Sequence, residues 1–185
     1  MKLNDEEIVN LLTAPQTVEK GLRAMMDIYQ SRLYWHIRRL IVDHDQAQDV
    51  LQDTFIKAYQ NIHQFKSDSK LYTWLYRIAT NEALQQLNKM NRIKKTDEDA
   101  EYYMQSLVAD TSGKDGEEIQ VLLQQAIQTL PEKQKLVFNM RYYDDLPYEE
   151  ISKILDMSVG TLKTNYHYAK DKVEQYIKDN YSEEF

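Results

Sequence analysis

The chain contains no cysteine. Disulfides, thiolate metal sites and a cysteine nucleophile are therefore excluded. Only 4 glycines and 3 prolines occur in 185 residues, too few for the many tight turns of a β-rich fold, and helices joined by short loops are favoured. No apolar run approaches the roughly 20 residues needed to cross a bilayer. The opening Met1-Lys2-Leu3-Asn4-Asp5-Glu6-Glu7 is acidic and lacks the apolar centre of a secretory signal, so a cytoplasmic location is expected. The four histidines, His36, His44, His63 and His167, are scattered without metal-ligand spacing, and no phosphate loop or nucleophile elbow is found. The reading is of a non-enzyme with no catalytic residue, no metal and no cofactor.

What is present is a soluble composition with patterned charge. Hydrophobic residues make up 42% and charged residues 29%, and the formal net charge is −7. That total argues against a non-specific coat for nucleic acid, but it conceals alternating blocks. Residues 66–95 carry seven Lys/Arg against Asp68 and Glu82, a net of +5. Residues 96–118 carry eight Asp/Glu against Lys114, a net of −7, and residues 158–178 carry four Lys against Asp171 and Glu174, a net of +2.

Periodicity divides the chain. Residues 1–18 read as a weak, partly helical lead-in. From Glu19, Leu22, Met25, Met26, Tyr29, Leu33, Tyr34, Ile37, Leu40 and Ile41 recur at helical spacing. Asp43-His44-Asp45 breaks the pattern and offers caps. A second helix follows with Ala47, Val50, Leu51, Phe55, Ala58 and Tyr59 on one stripe. After the polar loop Phe65 to Lys70, a third has Leu71, Trp74, Leu75, Ile78, Ala79, Leu84 and Leu87 on its apolar side and ends in the basic run Lys89 to Lys95. Residues 19–95 thus form one helical domain. Residues 96–118 lose all period and read as an acidic linker. Helical pattern resumes at Ile119, and residues 119–185 form a second domain. The fold class is all-α, with two small helical domains.

The second domain carries the pattern of a helix-turn-helix. Tyr148 to Leu155 is one short amphipathic helix, Asp156-Met157-Ser158 is a tight break, and Val159-Gly160-Thr161-Leu162-Lys163 opens the next. In that last helix Leu162, Tyr166, Ala169, Val173 and Ile177 form the buried stripe, and Ser158 is placed to cap it. Its outward front carries Thr161, Lys163, Thr164, His167 and Tyr168. Lys and Thr there can contact base edges or phosphates.

Three stretches in order then resemble a known family. Ala47 to Tyr59 closely resembles the polymerase-binding segment of bacterial sigma factors. Trp74 to Leu84 resembles their promoter-melting, −10-reading helix. Leu130-Pro131-Glu132-Lys133-Gln134, with Tyr148 to Lys170, resembles their −35-reading domain. The compact plan is similar to the extracytoplasmic-function (ECF) group, and the resemblance covers roughly 20–93 and 119–178. It implies a sigma factor that binds core RNA polymerase and directs initiation at promoters with two boxes about 20 base pairs apart, two helical turns. Asp49, Gln52, Asp53 and Phe55 would dock on the clamp helices of the β′ subunit, and the second domain on the β flap. Lys66, Ser67 and Lys70 of the loop would serve capture of an extruded base, and Tyr72, Thr73, Tyr76, Arg77, Thr80 and Asn81 the rest of the −10 contact. Thr73, Arg77, Thr80, Asn81 and Asn88 are expected on the face away from Leu75 and Ile78. Ser158, Thr161, Lys163, Thr164, His167 and Tyr168 would read the −35 box. An anti-sigma factor, often membrane-tethered in this family, is an implied partner, as is promoter DNA; direct membrane insertion is not.

Two departures bear on this. Asn165, His167 and Tyr168 stand where relatives often carry arginine or bulky residues, and Asn88 where a basic residue is frequent. Fewer cations mean a shallower salt dependence of DNA binding. The competing expectation is a sigma-like interaction protein that binds polymerase or a regulator without directing initiation. A stand-alone repressor would leave 47–84 unexplained.

Overall fold

A computed structural model describes residues 3–66, 68–93 and 117–181. All regular structure among these residues is helical, and two compact units divide it, one ending at Ile93 and the other carrying the helices from Glu117 onward. Ser67 and the acidic linker, expected over 96–118, lie outside the described residues apart from the linker's last two positions, which open the first helix of the second unit.

The first unit contains α1 (Asp5–Thr13), α2 (Val18–Leu40), α3 (His44–Gln60), a 3-10 turn (Ile62–Gln64) and α4 (Leu71–Ile93). The lead-in is more ordered than its pattern suggests. Asn4 and Glu7 form a reciprocal capping box, Asn4 Oδ1 accepting from the Glu7 N–H at 2.9 Å and Glu7 Oε2 from the Asn4 N–H at 2.8 Å. Asp5, Glu6 and Glu7 in the first turn also suit the positive end of the helix dipole. With its N-terminus capped locally, α1 seats on α2 with Ile8 and Leu12, one turn apart and buried. At Gly21 the two helices approach so closely that a Cβ would sit 2.9 Å from the Leu12 nitrogen.

The break before α3 is built as the sequence suggests. Asp43 caps α3 by accepting from the Gln46 N–H at 2.9 Å. The buried Arg38 turns its guanidinium back onto the carbonyls of Ile41 and Val42, satisfying acceptors that the end of α2 leaves open.

The expected phase of α4 is corrected. Thr73 and Thr80 do not face outward; they are buried along with Leu71, Leu75, Tyr76, Ala79 and Ala83, while Trp74, Ile78, Leu84 and Leu87 are only partly buried. The reason is that α4 packs against both α2 and α3, so burial spreads beyond a single stripe. Thr80 tolerates the interior because its hydroxyl donates to the Tyr76 carbonyl at 2.7 Å and lies 2.8 Å from His36 Nε2. With the hydroxyl proton committed to Tyr76, the imidazole is the donor to Thr80, which places its proton on Nε2.

The second unit contains α5 (Glu117–Thr129), α6 (Glu132–Tyr142), α7 (Tyr148–Leu155) and α8 (Val159–Asn180). Pro131 separates α5 from α6, where its missing N–H costs nothing at a helix start. Ala126, Ile127, Leu130, Phe138, Ala169 and Val173 form the core, with Tyr166 and Ile177 against it. Between α7 and α8 the chain reverses through Asp156, whose φ of 53° lies in the left-handed region that ends helices. Ser158 then caps α8, accepting from the Thr161 N–H at 3.1 Å.

Candidate polymerase and nucleic-acid interfaces

On α3, Asp49, Gln52 and Asp53 share one exposed side. Phe55 is different: at 6% exposure it lies in the core rather than on the ridge, and it contributes to a groove instead of projecting from a surface. That groove, about 830 Å³, runs between α2 and α3, with Met26, Leu51, Phe55, Ile56 and Tyr59 as its apolar lining and Asp49 and Gln52 at its edge. At one end the Tyr34 hydroxyl and His44 Nδ1 are 2.7 Å apart. An apolar floor beside an acidic rim is suited to an amphipathic helix with basic flanks.

The −10 candidates separate into two groups. Lys66, Lys70, Arg77 and Asn81 are exposed and Tyr72 is half-buried, so these five can meet a ligand. Thr73, Tyr76 and Thr80 are 2%, 1% and 1% exposed, and none of them offers a face to DNA. Their places below the surface orient the helix rather than contact bases. Ser67 lies outside the described residues.

Two residues that the sequence pattern does not single out act on this face. Asp5 reaches from α1 and accepts from the Leu71 N–H with one oxygen at 2.8 Å and from the Tyr29 hydroxyl with the other at 2.6 Å. Lys70, which precedes α4, has no side-chain acceptor to offer its first turn, so a carboxylate 66 residues away supplies one. Burial, then the hydrogen bond to Asp5 and its charge, push the Tyr29 phenol well above its usual range. Arg32 of α2 lies with its guanidinium 5.3 Å from the centre of the Tyr72 ring, and Lys70 Nζ lies 5.6 Å from the same ring. The Asp5–Leu71 and Arg32–Tyr72 contacts join positions distant in sequence, which no local period reveals.

At the front of α8, Ser158, Thr161, Lys163, Thr164, His167 and Tyr168 are all exposed. Ser158 and Thr161 hydroxyls are 2.7 Å apart, and the Thr164 hydroxyl donates to the Gly160 carbonyl at 3.1 Å. Lys163 Nζ is 5.9 Å from the centre of the Tyr148 ring, and the Arg141 guanidinium is 5.3 Å from it. Arg141, from α6, thus adds a cation beside this surface that the helix-turn-helix pattern alone misses, and its guanidinium also donates to the Leu146 carbonyl at 3.1 Å and pairs with Asp145 at 3.4 Å. Farther along, Lys170 pairs with Glu174 one turn on at 3.6 Å, which reduces the positive field it presents, and His167 Nε2 lies 3.3 Å from Asp171 Oδ2.

A helical unit with an acid-rimmed groove and a cationic helix face, joined in one chain to a helix-turn-helix unit, defines a two-domain transcription protein. Comparison with known proteins gives the family. The model of sigma-70 region 2 matches residues 25–93 and that of sigma-70 region 4 matches 120–173. The chain is 34% identical over 172 residues to the ECF RNA polymerase sigma factor SigW of Bacillus subtilis, covering 84% of this chain and 88% of that one. It is 31% identical over 186 residues to the ECF RNA polymerase sigma-E factor of Haemophilus influenzae, covering 96% and 97%. Its fold is similar to that of CnrH, solved in complex with the cytosolic domain of CnrY, at 15% identity and a TM-score of 0.71, covering 96% and 99%. It is also similar to that of the sigma factor RpoE of Bartonella quintana, solved with the anti-sigma factor NepR, at 21% identity and a TM-score of 0.66, covering 88% and 99%. The chain belongs to the ECF group of RNA polymerase sigma factors, whose function is to direct transcription initiation at promoters.

Proposed function

We propose that the chain joins core RNA polymerase through α3, reads and melts the −10 box with the loop before α4 and the front of α4, and reads the −35 box with α8. The observation that carries this is the pairing, within one helical unit, of the exposed Asp49, Gln52 and Asp53 with the exposed Lys66, Lys70, Arg77 and Asn81. The acidic ridge suits a basic helical partner such as the polymerase clamp, with the β flap receiving the second unit. Phe55 acts here by shaping the groove. Lys66 and Lys70 hold phosphates, Asn81 hydrogen-bonds a base edge, and Tyr72 stacks. Ser158, Thr161, Lys163, Thr164, His167 and Tyr168 form the −35 contact, and Arg141 adds a phosphate ligand beside Lys163.

No covalent step belongs to this role: base capture and helix docking supply the work, and the chain acts without catalytic residue or cofactor in the cytoplasm. An anti-sigma factor is the regulatory partner, and the apolar groove beside the acidic ridge gives its helix a place that competes with polymerase. Among the described residues no helix is long and apolar enough to cross a membrane.

Run-off transcription with purified core polymerase tests the assignment. Wild-type protein is expected to give a promoter-dependent transcript, and Asp49→Lys with Asp53→Lys to abolish it together with core binding. Core binding that survives both substitutions would remove the ridge from the interface.

A further inference from the structure

Helix α1 precedes every stretch given a role above, yet it touches both feet of the loop that leads into α4. The first foot is the 3-10 turn Ile62–Gln64, which packs against α1. There the Phe65 N–H donates to the Ile62 carbonyl at 3.1 Å and sets the direction in which the loop leaves. The second foot is Leu71, the first residue of α4. The Thr73 and Trp74 N–H groups turn back onto the Lys70 carbonyl at 3.1 and 3.4 Å, whereas the Leu71 N–H takes its acceptor from α1, Asp5 Oδ2 at 2.8 Å.

The Asp5 carboxylate is itself held in place. Its other oxygen accepts from the Tyr29 hydroxyl at 2.6 Å, which fixes the side chain between α2 and α4. Helix α1 is fixed at both ends as well, by the capping box at Asn4 and by the Thr17 hydroxyl donating to the Leu11 carbonyl at 2.9 Å. A nine-residue helix has little stability of its own, so it keeps this shape only while docked. A loop with both feet anchored has less freedom left to lose when it takes up a ligand, and binding is tighter for that reason.

We infer that Asp5 is a positioning residue of the −10 reader, and that α1 is the clasp that sets the loop before α4 for base capture. This rests on the reading of that loop and α4 as the −10 reader. Asp5 acts through the Leu71 N–H and not by touching DNA.

The test uses holoenzyme assembled from the full chain with saturating core, and a fluorescent non-template oligonucleotide spanning the −10 box. Asp5→Ala is expected to weaken that oligonucleotide about fivefold, the size of a lost cap, with affinity for core and for −35 duplex unchanged. Asp5→Asn keeps an acceptor for Leu71 and a donor for Tyr29, and is expected to stay within about twofold of wild type. Asp43→Ala removes a comparable cap from α3 and controls for lost stability; it is expected to bind the oligonucleotide as wild type does. Hydrogen exchange of the Leu71 amide in the free full-length chain should accelerate in Asp5→Ala and not in Asp43→Ala. Wild-type oligonucleotide binding by Asp5→Ala would overturn the clasp. So would an equal loss in Asp43→Ala, a loss of core affinity in Asp5→Ala, no rescue by Asp5→Asn, or unchanged exchange at Leu71. If wild-type holoenzyme binds the −10 oligonucleotide no better than a scrambled one, the −10 reading itself falls, and the clasp with it.

Discussion

Asp5 joins three helices through one carboxylate: it begins α1, accepts from Tyr29 of α2 and completes the start of α4. Asp5→Ala is expected to cost about 1–2 kcal/mol in urea unfolding, the range of a lost cap. Asp5→Asn should cost less, because its amide can still accept from Leu71 and donate to Tyr29. The same contact makes stability depend on alkaline pH. Tyr29 holds its proton more tightly when folded than when unfolded. The unfolded chain therefore releases that proton first, and stability present below pH of about 10 declines as pH rises further. Tyr29→Phe should flatten that decline. Lys135 works oppositely: burial lowers its pKa, so the second unit gains stability as pH rises towards the ordinary lysine value. The two tryptophans, Trp35 and Trp74, both belong to the first unit, so tryptophan fluorescence reports on the unit that holds Tyr29. Neither residue's role is legible in the sequence, since each depends on a partner brought near only by the fold.

At the scale of elements, legibility follows how each helix is buried. Helix α8 buries one stripe, and Leu162, Ala169 and Val173 fall where a 3.6-residue period puts them. Helix α4 is covered from two sides, and the same period gives the wrong face for Thr73 and Thr80. Helix α1 is too short for a period, yet its capping box fixes it. The α1–α2 crossing depends on Gly21, and Gly21→Ala should destabilise by about 1–3 kcal/mol, since backbone and not a yielding side chain meets the new methyl. Ser158→Ala should cost about 1 kcal/mol by removing the cap of α8, and it should weaken −35 binding further by loosening the first turn. Urea unfolding and binding to −35 duplex measure these two effects separately.

For the whole molecule, the net charge of −7 is compatible with DNA recognition because cations are gathered at a few places. Lys66, Lys70 and Arg77 lie in the first unit, Lys163 and Arg141 in the second. Neither unit carries many, and each half-site contact is expected to be weak and steeply improved when polymerase holds both units on one promoter. The order of three motifs was enough to read this plan from the sequence, whereas the contributions of Arg32 and Arg141 required tertiary neighbours. The central claim is that two units read two boxes as one device. The most direct measurement is run-off transcription by holoenzyme on templates in which the −10 box, the −35 box or neither is scrambled. The account predicts that scrambling either box removes most of the transcript, and that Lys163→Ala together with Arg141→Ala reproduces the loss seen with the −35 scramble on the intact template. Undiminished transcription from the −35-scrambled template would contradict it.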